Sequence, residues 1–105
     1  MRRGDLVTVA VAGDIGKPRP ALIIQADAFA NHTTVTVLLV TSDAPLLRFT
    51  LEASGANGLR LTSQVMIDKA MTLMRAKLGT AFGRVDGDAM IEVERRLAVF
   101  LGIAK

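Results

Sequence analysis

The chain has two different hydrophobic periods, and the change between them falls near residue 85. Before that point, short runs rich in β-branched residues alternate with turn residues, and residues 33–41 form the clearest strand candidate. After it, apolar residues recur at helical spacing from Met90 to Leu101. Short strands followed by one closing helix predict a mostly β protein, either a small barrel or a strongly bent sheet.

Gly, Pro, Asn and Asp residues delimit the individual strand candidates. The predicted strands cover residues 5–11, 19–25, 33–41, 46–51, 64–69 and 78–85. Residues 71–74 extend the fifth strand or pair again with a neighbour, and residues 26–32 form a short excursion of about one helical turn.

The C-terminal segment has the pattern of an amphipathic helix lying on the sheet. Asp86 or Asp88 can cap its N-terminus, and Gly102 stops it. Glu92 and Arg96 are spaced as a favourable pair on the polar side. The apolar stripe is predicted to be core and comprises Met90, Val93, Leu97 and Phe100/Leu101.

Length and composition limit the class of protein. The 105 residues predict a single domain, residues 1–105, and half of them are hydrophobic, enough for a small core. Cys is absent, which excludes disulfides and thiolate chemistry. Because the first residues lack the apolar run of a signal peptide and no run is long enough to cross a bilayer, a soluble cytoplasmic protein is predicted.

The charge is compatible with a polyanionic partner. The formal net charge is +3 and the pI is near 10, but the cations are scattered, so the fold must assemble any basic patch. The chain has no Trp or Tyr and only four Phe. A module that stacks bases on aromatic platforms is therefore disfavoured.

Residues 13–20 join the first two strands and contain two Gly, two Pro and two cations. Pro18 and Pro20 hold the preceding residues, Lys17 and Arg19, in extended geometry. Two cations on a stiffened loop suggest an anion site. On the loop alone, a rigid strand connection with solvated cations is the simpler explanation of the same residues.

Metal and triad chemistry have little basis in the sequence. His32 is the only histidine, and no pair of carboxylates has the spacing of a recognisable metal site. A Ser/His/Asp triad is formally possible, but no Ser lies on a Gly-x-Ser-x-Gly elbow. The residues between Gly13 and Lys17 are too few for a phosphate-binding Walker loop.

Polar residues at strand ends give a better candidate site. Arg19 opens the second strand, Thr41 and Ser42 close the third, and Asp68 and Lys69 close a later one. If these ends meet at one rim, the cleft would suit phosphate chemistry, since Arg offers a fork of donors and Asp a general base. An ordinary ion pair and ordinary turn residues are the alternative.

Six collinear segments resemble the MazF/PemK (Kid-like) family, the ribonuclease half of type II toxin–antitoxin modules. The segments are RGDLV at 3–7, GKPRPALII at 16–24, LVTS at 39–42, SQVMIDK at 63–69, LG with FGRV at 78–85, and LAVFLG at 97–102. The resemblance covers nearly the whole chain. It implies an SH3-like barrel of the CcdB/PemK type with a C-terminal helix.

The resemblance also implies an activity and partners. Family members are homodimers that cleave single-stranded RNA without a metal or other cofactor, by attack of a ribose 2′-hydroxyl that leaves a cyclic phosphate and a 5′-hydroxyl. The expected protein partner is a cognate antitoxin with an acidic, partly disordered segment. The 2′-hydroxyl nucleophile selects RNA over DNA.

Carried over by position, the resemblance assigns a role to each candidate residue. Arg19 matches the catalytic arginine, Thr41 a hydroxyl residue of the active site, and Asp68 an acidic residue important in some members. Either Asp68 or Arg19 would handle the 2′-hydroxyl proton. The predicted RNA-binding residues are Lys17, Ser42 and Lys69.

Departures from the family pattern leave the cleavage sequence open. Met66 occupies the position of an Arg found in some members, and Lys69-Ala70-Met71 replaces a common Gln-(Ile/Pro)-Arg. The loop before Arg19 is short, and Lys17 replaces polar residues of longer loops. A non-catalytic protein of the same fold, such as a gyrase poison or an inactive homologue, is the alternative function.

Overall fold

The protein is described from a computed structural model that covers residues 1–10, 18–42 and 49–104. Its elements are the strands β1 (Asp5–Val9), β2 (Arg19–Ile23), β3 (Thr34–Thr41), β4 (Phe49–Leu51), β5 (Ser63–Met74) and β6 (Leu78–Arg84), and the helix α1 (Gly87–Phe100). Among the described residues, no helix has the length and apolar character that a bilayer crossing requires.

The predicted order of strands and closing helix is confirmed, with most elements one or two residues shorter than expected. The excursion between β2 and β3 is a 3-10 turn at Asp27–Phe29. Segments 64–69 and 71–74 belong to one twelve-residue strand. The expected strand positions 11 and 46–48 lie outside the described residues.

All six strands form one antiparallel sheet in the order β4-β5-β3-β2-β1-β6. Within the described ranges, β4 and β6 do not pair with each other, so the hydrogen-bonded order stays open at its two edges. The prediction of a mostly β fold with a C-terminal helix is confirmed.

The bend is located in β5, which pairs with both β3 and β4. Val40 pairs with Val65 and Leu38 with Ala70, so the single residue Leu39 lies opposite residues 66–69. Such surplus residues bend a strand and increase its twist. Between these two pairs, β5 has five residue steps and β3 only two, so β5 contains three surplus residues. Because successive side chains of a strand alternate between the two faces, an odd surplus reverses the face to which the odd-numbered side chains of β5 point.

Two apolar cores lie on opposite faces of the sheet, as the alternation along β1, β2 and β3 requires. One, the helix-side core, contains Leu6, Leu22, Leu38, Val40, Leu51, Val65, Ile67, Val85, Met90 and Val93. The other, the second core, contains Val7, Val9, Ala21, Ile23, Val35 and Val37, with Met71, Leu73 and Leu78 packed against it. The strands are therefore apolar on both faces, which explains their nearly continuous hydrophobic runs.

The Arg-Gly-Asp opening of β1 is structural. Gly4 has φ +94°, donates its N–H to the Ile23 carbonyl at 2.9 Å and accepts from Val85 N–H at 2.9 Å. The nearly buried carboxylate of Asp5 accepts from Arg2 N–H at 2.8 Å and forms an ion pair with Arg84. These contacts fasten β1 to the end of β6.

The loop between β4 and β5 is held by the buried side chain of Asn57. Its Oδ1 accepts from the N–H groups of Ser54 and Leu59, both at 3.0 Å, and its Nδ2 donates to the Glu52 carbonyl at 2.7 Å. The loop backbone in turn lies against β6, because Arg84 N–H donates to the Ala56 carbonyl at 2.9 Å. A Cβ built on Gly83 would lie 2.0 Å from the Asn57 carbonyl oxygen.

We expect Gly83→Ala to lower the free energy of unfolding by about 2 kcal/mol, because the added methyl forces two backbone segments apart. Denaturant unfolding followed by circular dichroism measures the change. Gly55→Ala is the matched control, since a Cβ there meets nothing within 4 Å. Equal stability of the two variants would contradict this close contact.

Helix α1 begins as the sequence predicts and packs on the helix-side core. The Asp86 carboxylate caps the N-terminus by accepting from Ala89 N–H at 2.8 Å. Met90 and Val93 are buried. The predicted pair between Glu92 and Arg96 is confirmed at 2.7 Å.

The end of the predicted apolar stripe is not core, and that part of the prediction is wrong. The side chains of Phe100 and Leu101 are 58% and 56% exposed, and Val99 and Ile103 beside them are exposed as well. Gly102, with φ +76°, ends the helix as predicted, and the Ile103 N–H donates to the Ala98 carbonyl at 2.8 Å. The last turn extends beyond the sheet that buries Met90 and Val93.

The pKa of the Glu92 carboxyl is lowered by its neighbours on the helix. Hydrogen bonds from Arg95 and then Arg96 hold the Glu92 pKa at about 2, against 4.5 ordinarily. The folded-state pKa is depressed, so the pair stabilises the fold above about pH 4.5 and this contribution is lost as the pH falls toward about 2.

Glu92→Gln should therefore be less stable than the wild type at pH 6, and the difference should vanish as the pH approaches 2. Thermal unfolding of both proteins at a series of pH values measures it. The effect is expected to be small, since both partners are partly exposed. A difference that is constant from pH 6 to pH 2 would show that the charge is not involved.

Candidate active site

Arg19 and Thr41 lie at the adjoining ends of neighbouring strands. Arg19 is the first residue of β2 and Thr41 the last of β3. The ladder between these strands pairs Ile23 with Val37 and Ala21 with Leu39. Continued by two residues, the same register places Arg19 opposite Thr41, at a Cα separation of about 5 Å.

Both positions belong to the face of the sheet opposite the helix. Val40 lies in the helix-side core, so Thr41 has the other orientation. Arg19 shares its strand face with Ala21 and Ile23 of the second core. Arg19 is exposed and Thr41 half-buried, and neither is without an interaction partner.

The remaining predicted site residues lie close to this pair in the strand order. Asp68 and Lys69 are exposed in the surplus segment of β5, opposite Leu39, two residues from Thr41. Asp68 also has an interaction partner. Ser42 is exposed directly after β3. Lys17 lies outside the described residues. Their roles stay predictions, because the structure gives positions and not activities.

Two further polar residues continue the same line across the sheet. Gln64 on β5 pairs with Thr41 on one side and with Thr50 of β4 on the other. The Thr50 hydroxyl donates to Gln64 Oε1 at 3.1 Å. We call Arg19, Thr41, Gln64 and Thr50 the transverse row, since it crosses four adjacent strands on the face opposite α1.

Gln64 and Thr50 are not among the site residues predicted from the sequence. Thr50 lies between Phe49 and Leu51, and Gln64 precedes Val65, and these apolar neighbours belong to the helix-side core or pack against it. Alternation therefore predicts that both are turned away from that core. Their position beside Thr41 depends on how the strands pair, and the alternation of polar and apolar residues along a single strand does not predict that pairing.

His32 takes no part in this site. It lies before the start of β3, whereas Thr41 is at its end, and the seven residue steps of the strand span about 23 Å. Its ring packs edge-on against Phe29, with centroids 5.3 Å apart. A triad that combines His32 with the strand-end hydroxyls is therefore wrong. Within the described ranges, no group of three potential metal-ligating side chains is found.

The arrangement suits binding of a phosphodiester. A guanidinium presents a planar fork of donors to phosphate oxygens, and a neighbouring hydroxyl adds a neutral donor. Asp68 brings a carboxylate to the adjacent bulge, and exposed Lys69 adds positive charge. No buried side-chain donor or acceptor in the described part of the chain lacks a partner, so the unused hydrogen-bonding capacity is at the surface.

Solved structures share this fold over nearly the whole chain. An endoribonuclease in complex with its cognate antitoxin, from a mycobacterial species, superposes with a TM-score of 0.83 at 22% identity, covering 100% of this chain and 98% of that one. MazF in a MazE–MazF complex from Deinococcus radiodurans gives a TM-score of 0.77 at 23% identity, covering 99% and 97%. The fold is therefore MazF-like.

Sequence comparison identifies the family. The family model described as "PemK-like, MazF-like toxin of type II toxin-antitoxin system" matches residues 2–101. A protein of Mycolicibacterium smegmatis, described as a probable endoribonuclease MazF, is 48% identical over 108 aligned residues, covering 99% of both chains. The chain belongs to the PemK/MazF family of type II toxin–antitoxin toxins.

Proposed function

We propose that this MazF-like endoribonuclease toxin cleaves single-stranded RNA sequence-selectively and without a metal ion. The observation that supports the proposal is the register of β2 and β3, which, if continued two residues beyond the pair of Ala21 and Leu39, sets Arg19 opposite Thr41 on the face away from the helix. The nucleophile is the ribose 2′-hydroxyl. Its oxygen bonds to the adjacent phosphorus while the bond from phosphorus to the 5′ oxygen breaks, leaving a cyclic phosphate and a 5′-hydroxyl.

Each site residue has a physical task in this reaction. Arg19 stabilises the negative charge that develops on the phosphate oxygens, an effect that is often the largest single contribution to catalysis. Thr41 donates a hydrogen bond to the scissile phosphate. The Asp68 carboxylate accepts the 2′-hydroxyl proton, since a guanidinium such as that of Arg19 has no acceptor, and the 5′ oxygen takes a proton from water as it leaves.

Three further residues bind the RNA strand in this proposal. Lys69 and Ser42 are exposed beside the transverse row, and Lys17 belongs to the connection that leads into Arg19. Cations near the phosphates raise affinity without sequence preference, so binding should weaken as salt is raised.

The proposed protein partners are a cognate antitoxin and a second copy of the chain, and the proposed compartment is the cytoplasm. A basic pI near 10 suits an antitoxin segment that is acidic and partly disordered. The related structures named above include a complex with a cognate antitoxin. The exposed apolar side chains at the end of α1, Phe100, Leu101 and Ile103, offer a surface for the second copy.

Purified protein should cut a mixed-sequence single-stranded RNA in EDTA and leave cyclic phosphate ends. Arg19→Ala should slow cleavage about 10²–10³-fold, because the charge on the phosphate is no longer stabilised. Sequencing of the fragments and phosphatase sensitivity of their ends measure site and chemistry.

Arg95→Ala is the matched control for charge. Its side chain is 61% exposed on α1, on the opposite face of the sheet, and Glu92 keeps its contact with Arg96. Cleavage by Arg19→Ala at the wild-type rate would refute the catalytic assignment. No cleavage by a folded wild-type protein would favour the non-catalytic alternative, and inhibition of gyrase would then be tested.

Phe100→Glu should shift the protein from dimer to monomer, because it places a charge in the proposed apolar interface. Light scattering at micromolar concentration measures the mass. Ile91→Glu is the control, since Ile91 is 64% exposed and lies nine residues earlier on the helix, about 13 Å along its axis. A wild-type monomer, or equal masses for both variants, would contradict this surface.

A further inference from the structure

We propose that Gln64, oriented by Thr50, recognises the base next to the scissile phosphate and favours keto bases over amino bases there. The inference rests on the proposed function for the position of the RNA. It assigns a specificity role to two residues outside the Arg19, Thr41 and Asp68 set.

The position of Gln64 follows from the strand register. Its Cα partner on β3 is Thr41, which is itself one strand away from Arg19. Gln64 is half-buried and Thr50 exposed, so the end of the row is accessible. Neighbouring strands are about 4.8 Å apart. A nucleotide whose phosphate is held by Arg19 and Thr41 therefore has its ribose and base within reach of the next strand.

Thr50 fixes which atoms of the Gln64 amide are available. Its hydroxyl donates to Oε1 at 3.1 Å, which occupies one of the two acceptor positions of the amide oxygen and holds that oxygen towards Thr50. The two N–H donors of Nε2 have no partner in the described part of the chain. An oriented amide with free donors is suited to a base edge that presents an acceptor.

This donor pattern distinguishes the bases by one exocyclic group. Uracil and guanine carry a keto oxygen where cytosine and adenine carry an amino group, and single-stranded bases expose this edge. Nε2 can donate to the keto oxygen, whereas it would face another donor on the amino bases. An unpaired donor facing a donor is disfavoured, so the pair of residues selects uracil or guanine.

A pair of threonines elsewhere on the sheet differs from Gln64 and Thr50 in its hydrogen bonding and in the face of the sheet on which it lies. Thr36 and Thr72 also lie across neighbouring strands, with their hydroxyl oxygens 2.7 Å apart. They bond each other, and they lie on the face of the sheet that carries α1, because the surplus in β5 turns Thr72 to the side opposite Gln64. Thr72 therefore provides a control position on the same strand as Gln64.

The decisive variant is Gln64→Glu, which keeps the shape and exchanges donors for acceptors. Thr50 can still donate to the carboxylate, so the side chain stays in place. Binding is measured with short 2′-O-methyl oligouridine and oligocytidine, which the protein cannot cut because the nucleophile is blocked. The wild type should bind the uridine oligomer about tenfold more tightly, and Gln64→Glu should reverse the order.

Three further proteins complete the binding measurement. Thr50→Val removes the hydroxyl that orients the amide, and it should reduce the preference without reversing it. Gln64→Ala should abolish the preference. Thr72→Glu adds the same charge on the opposite face and should leave the uridine preference unchanged. A ratio of affinities that is equal in the wild type, Gln64→Glu and Gln64→Ala would overturn the proposal.

A second measurement separates this inference from the proposed function. Cleavage sites of the wild type and of Gln64→Glu are sequenced on a randomised RNA, and the preferred base at one position beside the cut should change from keto to amino. If the wild type does not cleave but its uridine preference reverses in Gln64→Glu, the proposed reaction fails and the recognition stands. If both proteins cut the same sequences, the recognition fails and the reaction stands.

Discussion

The fold depends on the odd surplus of residues in β5. Val65 and Ile67 pack in the helix-side core, and Met71 and Leu73 pack against the second core. All four have odd numbers, so a regular strand would place them on one face. The segment opposite Leu39 lets a single strand serve both cores, and it bends the sheet at the same point. Without it, one of the two cores would lose its cover from β5.

The same surplus determines where polar chemistry can occur. Residues in a bulge are freed from the strict alternation of the ladder, so Asp68 and Lys69 are exposed although the strand on either side is apolar. Bulges are frequent next to active sites for this reason. The family motif at 63–69 thus contains core, bend and candidate site in one segment. The Arg-Gly-Asp opening, by contrast, contributes to structure, through Gly4, Asp5 and their contacts with β2, β6 and the turn before β1.

Much of the fold was predictable because its signals are local. The β-branched residues of β3, the turn residues and the Asp86 cap each act within a few positions of the chain, and the elements they indicate are present. The predictions that were wrong or missing concern contacts between residues that are distant in the sequence. The sequence pattern assigned Phe100 and Leu101 to the core, because the period continues past the edge of the sheet that the helix covers. The bulge in β5 depends on the pairing of two strands, and no feature of β5 alone specifies it.

The transverse row has a consequence for how such a protein changes over evolutionary time. Each of its four residues comes from a different strand, and the residues next to Thr41, Gln64 and Thr50 face the helix-side core or its edge. A substitution of Gln64 or Thr50 therefore changes the accessible side of one strand and leaves the apolar packing on its other side intact. The accessible side of the sheet can then vary one strand at a time, while the apolar side that folds the sheet stays the same.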